Sequence, residues 1–387
     1  MPVSRLSSFF GWPVISGLLL GLCIILWMNG NGQNADHQLD NGFHLGNLSP
    51  QHDNGSWSRP TSYADAVTNA APAVVNIYTR TKLERRRHPL LDDPLFRHFF
   101  NSSDAPSQER MQSALGSGVI ISPEGYLLTN NHVIDGADEI LVLLKDGREA
   151  QATLVGTDPE SDLAVLKIPL KNLTAIKIGA PGNAQIGDVV LAIGNPFGVG
   201  QTVTQGIISA TGRYGLGINT YENYLQTDAA INPGNSGGAL IDARGNLLGI
   251  NTAILDKTGF SVGIGFAIPA DTAVKVMQDL VSYGQVVRGW LGIEAQQMTP
   301  ELAESFKLTT ANGVIITAIY NNGPAHKAGL RPGDIIVKMN NRAVSDGRLS
   351  MHQVAQGRPG DDIKVEVLRN GKSLVVDGVL GVKPSSS

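Results

Sequence analysis

The 387-residue chain contains one cysteine, Cys23, so no disulfide can close within it. Its eight histidines are scattered and none stands in an H-x-x-x-H pair. With no Cys/His cluster at zinc-ligand spacing, neither a metal site nor a cofactor is expected. Charge of one sign is also lacking: 30 basic against 34 acidic residues leave a formal −4, which gives no general pull toward nucleic acid. The dense basic patch Arg85-Arg86-Arg87-His88 reads as a solvated loop. Aromatics are few, at 6%, while glycines number 45. That combination suggests short strands joined by tight turns, because glycine tolerates backbone angles that other residues avoid.

Phe9 to Met28 carries no charged residue. As a helix it would extend about 30 Å, the thickness of a bilayer core. Arg5 and the chain's amino group precede it, so the positive-inside rule puts the N-terminus in the cytoplasm and the rest across the membrane. A cleaved signal peptide would need a small-x-small site, and Asn29 to Asn34 offers a poor one. Leu22 before Cys23 argues against a lipoprotein signal. Residues 1–30 are therefore predicted as a membrane anchor with a transmembrane helix. Residues 31–60, rich in Asn, Gly, Gln, Asp and His, are predicted as a flexible tether.

From residue 61 to 285 short apolar runs alternate with turn signals, the pattern of a mainly β domain. Candidate strands are Val119–Ser122, Tyr126–Thr129, Glu139–Leu144, Leu163–Ile168, Val189–Ile193, Gly206–Ala210, Ala239–Ile241, Leu247–Thr252 and Gly263–Ile268. Asp146-Gly147 and Arg244-Gly245-Asn246 make turns between them. A helix capped by Asp271, with Val274, Met277, Leu280 and Val281 on one face and Gly284 after it, closes this domain. Residues 286–383 form a small α/β unit. Its strands are expected near Trp290–Ile293, Val314–Ile319, Ile335–Met339, Ile363–Arg369 and Leu374–Val379, with helices at Pro324–Ala328 and Leu349–Gln356.

The sharpest chemical signal is Gly234-Asn235-Ser236-Gly237-Gly238. A serine hydroxyl is a weak nucleophile and needs a base and donors for an oxyanion. The pentapeptide also fits the G-x-S-x-G elbow of α/β-hydrolases. That elbow needs a helix after the serine and a histidine downstream. Here Ala239-Leu240-Ile241 is β-like, and the downstream histidines, His326 and His352, lie in the C-terminal unit. The base is then sought upstream, where His132 is the one histidine between Met111 and Ser236, at the end of an apolar strand. Asp162, just before Leu163-Ala164-Val165-Leu166, fits the orienting acid. Asp228 is the rival acid, read as structural, and Asp135 is too near His132 in the chain. The order His132, Asp162, Ser236 is that of chymotrypsin.

At Gly116-Ser117-Gly118-Val119, Thr129 to Val133, Ser161 to Leu166, Ile193 to Gly198 and Gln226 to Leu240 the sequence resembles the HtrA family of envelope serine proteases. The resemblance runs from about Ser62 to Val382. A single anchor, a single C-terminal PDZ domain and a modest loop at Leu83–Arg110 most resemble the DegS/AlgW type within it. The resemblance implies a chymotrypsin-like double β-barrel, a trypsin-like protease domain at 61–285, followed by a PDZ domain at 286–383. It implies a triad of His132, Asp162 and Ser236 and an oxyanion hole from the N–H groups of Gly234 and Ser236, directed by the Asn235 peptide. It further implies a regulatory sensor at Arg213 and a small apolar specificity-pocket floor at Ala230, favouring cleavage after small or medium apolar residues.

In the PDZ unit, Arg288-Gly289-Trp290-Leu291-Gly292-Ile293 resembles the family's carboxylate-binding loop. Trp290, Leu291 and Ile293, with Met351 and Val354, would line the pocket for a peptide's last side chain. The type implies an inner-membrane, single-pass, periplasmic homotrimer. Its substrate would be a membrane-spanning anti-sigma factor, and C-terminal tails of misfolded outer-membrane proteins would activate it. A general quality-control protease, and a binding protein or chaperone with an incidental triad, are the competing readings.

Overall fold

The computed structural model describes residues 62–83, 110–254, 261–306, 312–344 and 346–384. The expected anchor, tether and basic run lie outside these residues. Among the described residues no helix is long and apolar enough to cross a membrane.

Helix α1 (Ala64–Ala70) leads through a 3₁₀ turn into β1 (Val74–Leu83). There follow β2 (Arg110–Ile120), β3 (Tyr126–Thr129), the one-turn α2 (Asn131–Ile134), β4 (Glu139–Leu143), β5 (Glu149–Gln151), β6 (Thr153–Asp158) and β7 (Leu163–Lys167). The strands form a seven-stranded sheet in the order β5-β4-β1-β2-β3-β7-β6, with every adjacent pair antiparallel. Next come β8 (Val189–Gly194), β9 (Thr202–Arg213), β10 (Tyr224–Thr227), β11 (Ala239–Asp242), β12 (Leu247–Ile254) and β13 (Gly265–Pro269), which close into a barrel ordered β10-β13-β12-β11-β8-β9. Closure leaves no free sheet edge on this half. One buried apolar cluster runs from Val75, Ile77, Leu128 and Leu166 of the first sheet to Ile193, Ile241 and Phe266 of the barrel, so the two halves share a core.

Helix α3 (Ala270–Tyr283) ends this region at Gly284, whose left-handed φ of 70° lets its N–H close on Leu280. Its start and face differ from expectation. Pro269 is the N-cap and Asp271 sits in the first turn. The buried stripe is Ala273, Val276 and Leu280, while Val281 is exposed.

The C-terminal unit contains β14 (Ile293–Gln297), α4 (Pro300–Ser305), β15 (Val314–Ile319), α5 (Pro324–Ala328), β16 (Ile335–Met339), β17 (Arg342–Ala343), α6 (Gly347–Gln356), β18 (Asp362–Arg369) and β19 (Lys372–Val379). Its sheet runs β14-β15-β16-β18-β19, with β17 beside β16. The expected strand at Trp290–Ile293 instead begins at Ile293. Gly292, at φ 76°, interrupts extended backbone there, and Trp290 makes an isolated bridge to Gly381. Helix α6 starts at Gly347 because the Asp346 carboxylate accepts from the N–H groups of Arg348 and Leu349. Asn370-Gly371 turns the last hairpin with φ of 51° and 77°, as a type I′ turn requires.

Candidate active site

Asp162 is 8% exposed and holds φ at 57°. This uncommon conformation for an L-residue turns both its carbonyl and its carboxylate toward residues 130–132. The carbonyl accepts from Asn130 Nδ2 at 2.9 Å and from the Asn131 N–H at 3.2 Å. Carboxylate Oδ1 accepts from the His132 N–H at 2.9 Å, and Oδ2 pairs with His132 Nδ1 at 2.7 Å. The His132 side chain is 49% exposed, so its outer nitrogen faces the cleft. Asp228, by contrast, is exposed and accepts from the Ile207 N–H at 2.7 Å, a strand-anchoring role.

Ser236 stands between β10 and β11 and is half-buried. Its hydroxyl donates to the Thr252 carbonyl at 3.0 Å, and the Thr252 hydroxyl donates to Asp162 Oδ2 at 2.8 Å. Little in the sequence marks Thr252 as part of a site. Its one signal was a polar residue closing the apolar run Leu247–Thr252, where burial at 3% exposure demands a partner. Around the serine, Asn235 N–H donates to Asn232 O and Gly238 N–H to Asn235 O, both at 2.9 Å. Among the described residues the N–H groups of Gly234 and Ser236 are given to no other atom. Two unpaired donors beside a hydroxyl can bind an oxyanion. A helix does not follow Ser236; β11 does, which excludes the α/β-hydrolase elbow.

Ala230 is half-buried, and its carbonyl accepts from Thr204 Oγ1 at 2.8 Å and Asn235 Nδ2 at 3.4 Å. Arg213 ends β9 exposed, with Nε donating to Gln226 Oε1 at 2.8 Å. Among the described residues Gln226, not the serine loop, is its hydrogen-bond partner.

The PDZ-side residues divide. Gly289 and Trp290 give their N–H groups to Gly357 and Gly381. Those of Leu291 and Gly292 reach no other described atom, which leaves a donor pair at the start of the edge strand β14. Ile293 is half-buried, Met351 on α6 is 43% exposed, and Val354 packs against the unit's core. Leu291 lies in that core at 4% exposure. The Trp290 ring meets Tyr320 edge-on, with centroids 5.2 Å apart.

Arg288 lies elsewhere than the resemblance implied. Its guanidinium pairs with the Asp158 carboxylate, reaches Glu160 at 3.5 Å and lies 4.4 Å from the Tyr221 ring centre. Burial works against its charge, but the hydrogen bond and charge of Asp158 outweigh this and raise its pKa. Asp158 and Glu160 belong to the turn that carries Asp162, so the C-terminal unit grips the acid's own turn. Lys383 adds a 2.8 Å contact to Glu160, which raises the lysine's pKa.

Comparison with known proteins matches this geometry. A trypsin-like peptidase domain model covers residues 116–250 and a PDZ domain model covers residues 289–377. The chain is 45% identical over 336 residues to a probable periplasmic serine endoprotease, DegP-like, of Pseudomonas putida, covering 83% of this chain and 70% of that one. It is 44% identical over 333 residues to the serine endoprotease DegS of Salmonella typhimurium, covering 85% and 88%. The solved structure of the HtrA-type protease AlgW with a decapeptide superposes with a TM-score of 0.71 at 58% identity, covering 84% of this chain and 100% of that one. The chain belongs to the HtrA-type serine endoproteases, on the DegS and AlgW side of that family.

Proposed function

We propose that this endoprotease initiates an envelope stress response by cutting a membrane-spanning anti-sigma factor. C-terminal tails of misfolded outer-membrane proteins would switch it on through the PDZ unit. Ser236 is the nucleophile, His132 its base and Asp162 the orienting acid. The reaction requires rotation about the Ser236 Cα–Cβ bond, to carry the hydroxyl from the Thr252 carbonyl to His132. The imidazole takes its proton as Oγ attacks the scissile carbonyl, then returns it to the leaving amine. Gly234 and Ser236 N–H groups bind the oxyanion, and Asn235 sets the direction of the peptide between them. Water then hydrolyses the acyl-enzyme by the same proton path. The observation that carries this reading is the 2.7 Å His132–Asp162 contact, linked through Thr252 to the hydroxyl of Ser236, whose own N–H and that of Gly234 are unpaired among the described residues.

Ala230 floors the specificity pocket, which suits a small or medium apolar side chain before the cut. Leu291 and Gly292 N–H groups receive the activator's carboxylate. The peptide adds along β14, with Ile293, Met351 and Val354 around its last side chain. Arg213 is the sensor that relays occupancy to the serine loop through Gln226. The domains run 61–285 and 286–383, behind an anchor at 1–30 and a tether at 31–60. That anchor holds a trimer on the periplasmic face of the inner membrane. The AlgW relative solved with a decapeptide supports peptide capture.

The test is cleavage of an anti-sigma factor's periplasmic domain with and without a porin-tail peptide. Wild type, Ser236→Ala and Arg213→Ala are compared. Peptide should raise wild-type turnover about five- to a hundredfold, abolish nothing, and have little effect in Arg213→Ala. Wild-type turnover indifferent to peptide removes the switch. The DegP-like relative from Pseudomonas putida favours a second reading, general periplasmic quality control. Rapid degradation of unfolded casein without any activator would select it.

A further inference from the structure

We propose that Ser117 is a positioning residue for the oxyanion hole, acting from the opposite half of the protease domain. This rests on the roles assigned above to Ser236 and Gly234. Ser117 lies on β2, fully buried at 0% exposure, and each of its polar atoms is engaged. Its N–H donates to the Ser236 carbonyl at 2.8 Å, and its hydroxyl donates to the Gly234 carbonyl at 2.6 Å. The same hydroxyl oxygen accepts from the Asn195 N–H at 3.0 Å, and its carbonyl accepts from Thr129 Oγ1 at 2.7 Å. One residue thus bridges the histidine-bearing strand end, the serine loop and the end of β8.

The consequence follows from peptide planarity, since holding a carbonyl also fixes the N–H at the other end of its plane. The 234–235 plane is held at both ends, by Ser117 Oγ and by Asn232 O. The 235–236 plane is held by Gly238 N–H on the Asn235 carbonyl, which turns the Ser236 N–H the other way. The 236–237 plane is held by Ser117 N–H and by Asn251 O. Among the described residues the 233–234 plane, which carries the Gly234 N–H, is held at neither end.

The loop is therefore a fixed frame with one rotatable plane. The Ser117 hydroxyl is the side-chain bolt of that frame. Without it the 234–235 plane keeps one anchor, the Asn235 N–H on the Asn232 carbonyl, and Gly234, at φ 99°, is held less firmly beside the plane that carries its own N–H. Substrate binding surfaces are untouched, so the loss falls on the transition state, not on affinity for substrate.

The experiment compares full-length wild type with Ser117→Ala, Ser117→Cys and Ser236→Ala. It measures the labelling rate by a fluorophosphonate probe, kcat and KM on fluorescent casein, and the folded fraction from thermal melts. Losing an oxyanion donor outright costs about a hundred- to a thousandfold, so an indirect loosening by Ser117→Ala should lower kcat and labelling about ten- to a hundredfold. KM should stay within about twofold, since uniform binding is unaltered. Ser117→Cys, a weaker donor of similar shape, should fall between. The proposal is overturned if folded Ser117→Ala labels and turns over like wild type. It is also overturned if its lost kcat vanishes on correction for folded fraction. Should Ser117→Ala not fold, a folded Ser117→Cys at the wild-type rate overturns it. Activity surviving in Ser236→Ala would instead refute the site assignment itself.

Discussion

The Thr252 hydroxyl donates to the Asp162 carboxylate at 2.8 Å, on the oxygen that also pairs with His132. Thr252 stands on β12 of the closed barrel and Asp162 in the turn between β6 and β7 of the seven-stranded sheet, so this contact crosses between the halves at the proposed catalytic acid. Thr252→Val removes the hydroxyl and keeps the shape. A hydrogen bond to a charged group contributes about 1.5–3 kcal/mol, so kcat should fall about tenfold or more. Thr252→Ser should restore most of it. Steady-state kinetics on casein checks both, and an unchanged kcat in the valine variant would remove Thr252 from the machinery.

The grip of Arg288 on Asp158 is nearly enclosed, with side-chain exposures of 14% and 7%. Arg288→Met keeps the stem and strands the Asp158 carboxylate with the Ser161 hydroxyl as its remaining side-chain donor. Breaking such a pair costs about 3–5 kcal/mol. The thermal midpoint should drop, and protease cuts in the 284–288 linker should become faster as the two units separate. Limited proteolysis that leaves the linker as resistant as in wild type would show that the ion pair does not hold the units together.

His352 on α6 faces α3 across a cleft that also contains Arg288, Lys275 and Asp271. Burial lowers its pKa, and the charges of Arg288 and Lys275 add to that against Asp271. Gln356 shares a 3.0 Å hydrogen bond with its ring. The unfolded chain protonates this histidine near its ordinary value of about 6.5, before the folded chain does. The stabilisation is therefore complete above pH 6.5 and is lost as pH falls from there through the lower folded value. Melting temperatures from pH 8 to 5 should fall less steeply in His352→Gln than in wild type. Parallel curves would contradict the assignment.

Gly237 has φ at 82°, and a Cβ there would lie 2.1 Å from the Ser117 carbonyl and 2.4 Å from Thr129 Oγ1. Backbone strain and an unavoidable main-chain clash act together. Gly237→Ala should cost about 3 kcal/mol or more and abolish fluorophosphonate labelling. A denaturant midpoint within error of wild type would disprove the tight approach.

Much of the protease core was readable because strands such as Leu163–Lys167 and Val189–Gly194 are continuous apolar runs between turn residues. Strand β1 is hidden in the sequence, since Asn76, Thr79, Arg80 and Thr81 break its apolar character. Only pairing with β2 on one side and β4 on the other makes it central. The edge of the C-terminal sheet was misplaced by three residues because Trp290 and Leu291 look strand-like, while Gly292 diverts the chain before Ile293.

His132, Asp162 and Ser236 can be proposed from the sequence because each chemical role admits few residue types and the chain holds few candidates near the serine; the structure adds the 2.7 Å contact between His132 and Asp162. Local sequence also set the positive-φ turns and the helix stops, where a glycine or asparagine is the cheapest solution. Ser117, Thr252 and the Arg288–Asp158 grip were settled by the tertiary structure alone. A hydroxyl or guanidinium has no role written in its neighbours; its partner lies 90 or more residues away, and only packing brings the two within hydrogen-bonding reach.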